Sequence, residues 1–416
     1  MNKKDNVAMV PKYRFPEFSE SWDIIPILNI GDVYKGGIFS KSDIDQNASI
    51  PCIHYGELFT KYNEVISIIY SKTNKKEGFK SKIGDILMPS SDVTPDGLAK
   101  ASAIMLEDVI LGGDMNIIRP NKKFNSIFIS YLLNKSKKEI IKLVSGTTIK
   151  HIYPCQIITC QLPIANNSKE QQKIADCLSS IDDLISAEEK KLLLLNDYKK
   201  GWMQKLFPAE GKTVPEWRFP EFKDSEGWEK LNIKKACYPS YSGGTPVTSK
   251  KEYYNGDIPF IRSGEIGKEK TELFLTSEGL DNSSAKMIEK GDVLMALYGA
   301  NSGDVAISPI KGAINQAILC LRHKNNNAFL YHYLAFKKNW IVRTYIQGGQ
   351  GNLSGEIVKS IELCSPQEPD EQNRIAAFLS VIDELTSNQK EKIEALKQHK
   401  TALMQGLFPS IEEVCK

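Results

Sequence analysis

Four loops hold the side chains whose types and spacing could do chemistry. YKGGIFSKSD, from Tyr34, groups Lys35, Gly36, Gly37, Ser40 and Lys41, and YSGGTPVTSKKEYYNGD, from Tyr241, groups Ser242, Gly243, Gly244, Thr245, Lys250 and Lys251. Paired glycines let a backbone come close to a ligand, and the Ser, Thr and Lys that follow can donate to phosphates or base edges. SGTTIKHI, from Ser145, adds Thr147, Thr148, Lys150 and His151, and QGGQGNLSG, from Gln347, adds Gln347, Gly348, Gly349, Gln350 and Asn352. A shift of 201 residues lays His151 on Asn352, so the last two loops occupy one position of a repeat. Lysines at 72, 75, 76, 80 and 82, and at 135, 137 and 138, could line a duplex or simply face water.

No catalytic signature accompanies these loops. Gly211-Lys212-Thr213 lacks the leading glycine of a phosphate loop, because position 206 is Leu, and in GGQGNLSG Ser354 stands where a dinucleotide fingerprint has its third glycine. There is no Asn/Asp-Pro-Pro-Tyr/Phe tetrapeptide, so amino-methyl transfer by this chain alone is not expected. Pro95-Asp96 opens like a nuclease motif, but no acid-x-Lys follows on an adjacent strand, and Glu188-Glu189-Lys190 falls in a helix. The five histidines form no triad. The eight cysteines include no Cys-x-x-Cys pair, so small buried thiols are expected rather than a metal site. The chain reads as a non-catalytic binder without a cofactor of its own.

The elements that must position these loops come in duplicate. QQKIADCLSSIDDLISAEEKKLLLLNDYKKGWMQKLFP, from Gln171, and QNRIAAFLSVIDELTSNQKEKIEALKQHKTALMQGLFP, from Gln372, align without a gap at the same shift of 201. Arg14-Phe15-Pro16-Glu17-Phe18 returns as residues 218–222, each followed by a tryptophan, Trp22 and Trp228. Gly84-Asp85 returns as Gly291-Asp292, each feeding an apolar run that reads as a buried strand. The predicted order is therefore domain, helix, domain, helix, over 1–168, 169–208, 209–368 and 369–416. Short apolar runs broken by Gly, Pro, Asn and Asp predict a mixed α/β (α+β) class for the two globular domains, with helices over SIFISYLLNKSKKEIIKLV and NAFLYHYLAFKKNWIVRTYI.

Spacings of four and three place Ile174, Leu178, Ile181, Ile185, Glu188, Leu192, Leu195, Lys199 and Trp202 on one seam. Ile375, Leu379, Ile382, Thr386, Gln389, Ile393, Leu396, Lys400 and Leu403 form its counterpart. A helix of about 37 residues is a rod of roughly 55 Å, longer than a small domain is wide. Its natural partner is its duplicate, paired antiparallel as in an isologous interface. Such a spacer matches about 16 base pairs, so two unlike heads would read two half-sites with unread sequence between them. The net charge of +3 is too small to decide the partner. MNKKDNVAMVPKYRFPEF has no apolar h-region and no run reaches eighteen apolar residues, so a cytoplasmic chain without membrane spans is expected.

The duplicated QQKIADCLSSID and QNRIAAFLSVID starts, the two LFP closures, the two RFPEF openings, SGGTP at Ser242–Pro246 and GTTIKH at Gly146–His151 together resemble the specificity (S) subunits of type I restriction-modification systems over essentially the whole chain. That resemblance implies two target recognition domains, each binding half of a bipartite double-stranded DNA site, joined by an antiparallel coiled coil. It implies that two modification (methyltransferase) subunits, carrying S-adenosylmethionine, dock on this chain, and that restriction subunits with ATP- and Mg-dependent translocation can join. YKGG departs from SGGTP, so the resemblance carries the second loop further than the first. A coiled-coil scaffold that binds two protein ligands without DNA is the alternative reading.

Overall fold

The computed structural model describes residues 9–346 and 352–411. Four helices organise it: α1 (Ser126–Lys135), α2 (Ser168–Leu206), α3 (Asn327–Tyr345) and α4 (Pro369–Leu407). The chain divides into two compact units, one over Met1–Glu189 and Lys392–Lys416, the other over Lys190–Glu391. Each unit therefore contains the beginning of one long helix and the end of the other.

Both units build corresponding sheets from unlike sequences, the first unit adding a fifth strand to one of them. In the first, strands Gly31–Lys35, Met115–Pro120, Asp85–Pro89, Ser102–Ile104 and Val65–Ile66 neighbour one another in that order, beside a sheet ordered Ser71–Thr73, Ile50–Ile53, Ile110–Leu111, Phe79–Lys80. In the second, the orders are Cys237–Ser242, Ile318–His323, Val293–Ala296, Val305–Ile307 and Leu273–Leu275, Tyr254–Ile261, Gly312–Ile314, Lys286–Ile288. The smaller sheet of the first unit, like its counterpart in the second, centres on one parallel pair, with Ile110 beside Cys52 and Phe260 beside Ala313, between antiparallel neighbours. The apolar runs after the repeated Gly-Asp are buried throughout, as their composition predicts. Strand Asp23–Pro26 pairs with Gln161–Ile164, and Glu229–Asn232 with Glu362–Ser365, so the two ends of each domain meet just before a long helix begins.

The helix expected over 126–144 breaks at Ser136, whose ψ of 30° leaves the helical range and separates α1 from a second, five-residue helix at Lys137–Ile141. α1 and α3 each open on an asparagine cap, with Asn125 accepting from Phe128 N and Asn326 from Phe329 N, both at 2.9 Å. Each cap also donates to the start of a long helix, Asn125 to Gln172 at 2.7 Å and Asn326 to Asn373 at 2.8 Å.

The repeated RFPEF is an anchor for those helices. Arg14 grips Glu170 through Nε and Nη2 at 2.8 and 2.9 Å, and Arg218 grips Glu371 at 2.8 and 2.6 Å. Along the helices every predicted seam position is buried or half-buried, whereas the off-seam Leu184, Leu193, Leu194, Val381 and Leu385 are exposed. In the first unit Asp182 meets Lys400 and Glu188 meets Lys392; in the second Lys199 meets Asp383 and Trp202 packs on Phe378. Partners descend α4 as they ascend α2, so the pairing is antiparallel in both units. Seam Thr386 satisfies its hydroxyl on Ile382 O at 2.8 Å.

The two Leu-Phe-Pro closures end in cores rather than in solvent. Leu206 and Phe207 lie in the second unit's core, where Phe207 meets Trp228, Phe329 and Tyr333. Leu407 and Phe408 lie in the first unit's core with Trp22 and Phe128. Each long helix thus starts in one hydrophobic core and finishes in the other, which a free-standing rod would not do.

Candidate nucleic-acid interface

The glycine loops are rooted by a second repeated device. At Gly84 and Gly291 the backbone takes φ of 86° and 93°, which favours glycine, and the following aspartate turns back to accept a backbone N–H, from Lys82 at 2.9 Å and Glu289 at 2.8 Å. The same carboxylates hold Arg119 (2.7 and 2.7 Å) and Arg322 (2.6 and 2.8 Å) in two-pronged ion pairs. Arg119 lies 5.1 Å from the ring of Tyr34, which opens the first glycine loop, and Tyr241, which opens the second, donates to Met287 O at 2.7 Å.

The paired glycines approach their own chain. A Cβ on Gly36 would stand 1.9 Å from Gly112 O, and one on Gly243 1.8 Å from Ile314 O. A Cβ on Gly37 would stand 2.8 Å from Phe79 N, and one on Gly244 2.5 Å from the Ser284 Cβ. These glycines let the loop cross the end of the central parallel strands. Beyond them Ser40 caps a short turn, its N–H bonded to Asp43 at 2.7 Å, while Lys35 and Lys41 are exposed. Asp43 also holds Lys75 at 2.9 Å, and these donors keep its carboxyl down at about 2.

The structure brings both sequence-selected loops of the first unit to one turn. Tyr55 and Gly56 line a cleft that includes Lys41, Gln46, His54 and Lys61, and also a second cleft that includes Asp92, Asp114, Ile149 and His151. The loop reaching the second cleft is closed by reciprocal Ser145–His151 backbone bonds of 2.9 and 2.8 Å. Lys150 turns its ammonium onto Gly146 O at 2.9 Å, leaving Thr147 and Thr148 exposed at the tip. Burial holds the His54 imidazole below its usual range.

In the second unit Thr245 and Lys251 share a cleft with Thr248, Tyr254, Asn255, Phe260, Arg262 and Asn315. Thr245 donates to Gln316 Oε1 at 2.7 Å. Lys250 donates to the Tyr253 hydroxyl at 2.9 Å and lies over its ring instead of entering the cleft. Ser242 lies at the root of the loop, near Gly355. Gln347, Gly348, Gly349 and Gln350 lie outside the described residues; Asn352 is exposed, next to Leu353, whose N–H bonds Leu297 O at 3.0 Å.

Sequence reading missed His54, Tyr55, Asn255, Arg262, Asn315 and Gln316. The signal was present as IPCIHYGE at 50–57 and IPFIRSGE at 258–265, but unequal loops move this pair off the 201-residue shift that aligns the helices. Among the described residues no group of three or more His, Cys, Asp and Glu could hold a metal ion, and no helix is long and apolar enough to cross a membrane. Five of the seven described cysteines are buried, which pushes Cys52 up to about 11 and Cys160 to about 12; Cys155 is exposed, contrary to expectation, on a turn after Pro154.

The chain matches the family model of the type I restriction modification DNA specificity domain twice, over residues 19–196 and 225–398. It is 26% identical over 419 residues to the putative type I restriction enzyme MjaX specificity subunit of Methanocaldococcus jannaschii, covering 95% of each chain. It is 24% identical to the MjaVIII specificity subunit of the same organism, over 98% of this chain and 96% of that one. Its fold is that of the crystallised type I restriction-modification S subunit from M. genitalium, at a TM-score of 0.68 and 17% identity over 97% and 100% of the two chains. A chain from a structure concerned with complex assembly and conformational transition of the type I R-M system matches at a TM-score of 0.55 and 15% identity, over 96% and 99%. The chain belongs to the type I restriction modification DNA specificity family, with the family's domain present in each of its halves.

Proposed function

We propose that this chain is the non-catalytic specificity subunit of a type I restriction-modification complex in the cytoplasm, each unit reading one half of a split, asymmetric double-stranded DNA site. One observation carries the reading: the two units repeat a strand order and an anchoring scheme while their clefts present different side chains, His54, Tyr55 and His151 in one and Thr245, Asn255, Arg262 and Asn315 in the other. Equal frames with unequal heads suit two half-sites of unlike sequence. The candidate contacts remain the exposed Lys35, Lys41, Thr147, Thr148, Thr245, Lys251 and Asn352.

The paired helices set the gap between half-sites and offer the surface on which two methyltransferase subunits dock, with restriction subunits joining them. S-adenosylmethionine, ATP and Mg then belong to those partners. Binding of labelled duplex by the chain with its methyltransferase subunits tests this reading. Saturable binding to a split motif is expected, and four residues inserted into one long helix should alter the gap or abolish assembly. Two protein ligands bound with no affinity for duplex would favour a scaffold instead.

A further inference from the structure

Ile50–Glu57 and Ile258–Glu265 form the same strand exit in the two units. In each, the strand belongs to the central parallel pair, and the glutamate four residues beyond its end is buried, 6% exposed at Glu57 and 5% at Glu265. That carboxylate accepts the backbone N–H of the residue leaving the strand, His54 at 2.9 Å and Arg262 at 3.1 Å. The frame is constant, and the side chain it presents is not.

The Arg262 guanidinium is held in a defined plane. Nε and Nη2 bond the two oxygens of Glu265 at 3.2 and 3.4 Å, and Nη2 also meets Glu272. Nη1 makes no hydrogen bond among the described residues. Glu272 is 76% exposed, so a competing acceptor can replace it, whereas Glu265 stays beneath as a fixed support. An ion pair as exposed as Arg262–Glu272 adds little stability, so exchanging Glu272 for another acceptor costs the fold little. Arg262 lines the cleft that also holds Thr245, Asn255 and Asn315. Planar two-pronged donors are matched to a pair of acceptors on one edge, the O6 and N7 of guanine.

We propose that Arg262 is a base-reading residue of the second unit, taking a guanine in the major groove as Glu272 is displaced, and that His54 occupies the equivalent reading position in the first. The assignment rests on the DNA-reading role proposed above. The test is methylome sequencing with the chain expressed beside its methyltransferase subunits. Arg262→Gln should lose about ten- to hundredfold discrimination at one guanine of one half-site, leaving the other half-site and the gap intact. His54→Arg should change one position of the other half-site. An unchanged motif in Arg262→Gln overturns the assignment, and an unchanged one in His54→Arg overturns the equivalence. Should Arg262→Gln abolish all methylation, Arg262→Lys decides: relaxation at a single position supports base reading, and loss of both half-sites together assigns the residue to the fold and overturns it. A wild-type complex with no split motif would remove the DNA-reading role itself.

Discussion

Lys400, in the last third of α4, donates to Asp182, in the first half of α2, at 2.7 Å. The relation recurs with the helices exchanged, where Lys199 meets Asp383. In the first unit the carboxylate also accepts from Tyr131 at 2.5 Å, and Lys400 reaches Glu64 at 2.9 Å. A charge left without its partner in this half-buried knot is costly, whereas an apolar pair of similar volume is tolerated.

Lys400→Met should therefore lower stability by about 2 kcal/mol, the buried-pair cost reduced for partial exposure, and adding Asp182→Leu should recover much of it. Urea midpoints of the two single variants and the double variant measure this coupling.

Phe408 belongs to the core of the first unit although the helix it immediately follows begins in the second. Phe408→Ala should cost about 3–5 kcal/mol and be felt around Trp22 and Phe128. Hydrogen exchange should show protection falling over 22–30 and 126–133, with the second unit's sheets unaffected.

His332, fully buried in α3, lies 3.1 Å from Ser380 and 3.7 Å from Asp383 and packs against Tyr331. Burial first, then the neighbouring Lys199 ammonium, hold it down to about 3. An unfolded histidine charges near 6.5, so this residue's contribution is complete above that pH and is lost as pH falls from 6.5 toward 3, by about 1.4 kcal/mol per unit. His332→Tyr, which copies Tyr131 of the other unit, should flatten this acid limb in denaturation series between pH 7 and 4. His323, held at about 4, should keep part of the slope.

Two glycine substitutions should act in opposite directions. Gly243→Ala drives a Cβ against Ile314 O and should destabilise by about 1–3 kcal/mol, while Gly201→Ala, in open space on α2, should stabilise by about 0.5–1 kcal/mol. Thermal unfolding of each variant checks the signs.

Where geometry follows periodicity, the sequence was legible. The seam from Ile174 to Leu195 and from Ile375 to Leu396 could be read because a heptad repeats many times along one rod. Strand order could not, because several strands have only two to four residues, such as Ile110–Leu111 and Phe79–Lys80, and their partners are distant in sequence. Glycine pairs point to close approach but not to what is approached, and here it was Gly112 and Ile314. Arg262 did not stand out because its matching segment, Ile258–Glu265, lies 208 residues from Ile50–Glu57 rather than at the 201-residue shift of the helices, and the burial of Glu265 cannot be read from sequence.

Replacing residues 15–165 with the equivalent domain of a relative, and sequencing the methylome of cells that express the hybrid with its methyltransferase subunits, tests the division of reading between the two units most directly. A new sequence in one half-site, with the other half-site and the gap retained, is the predicted result. Both half-sites changing together, or neither changing, would contradict it.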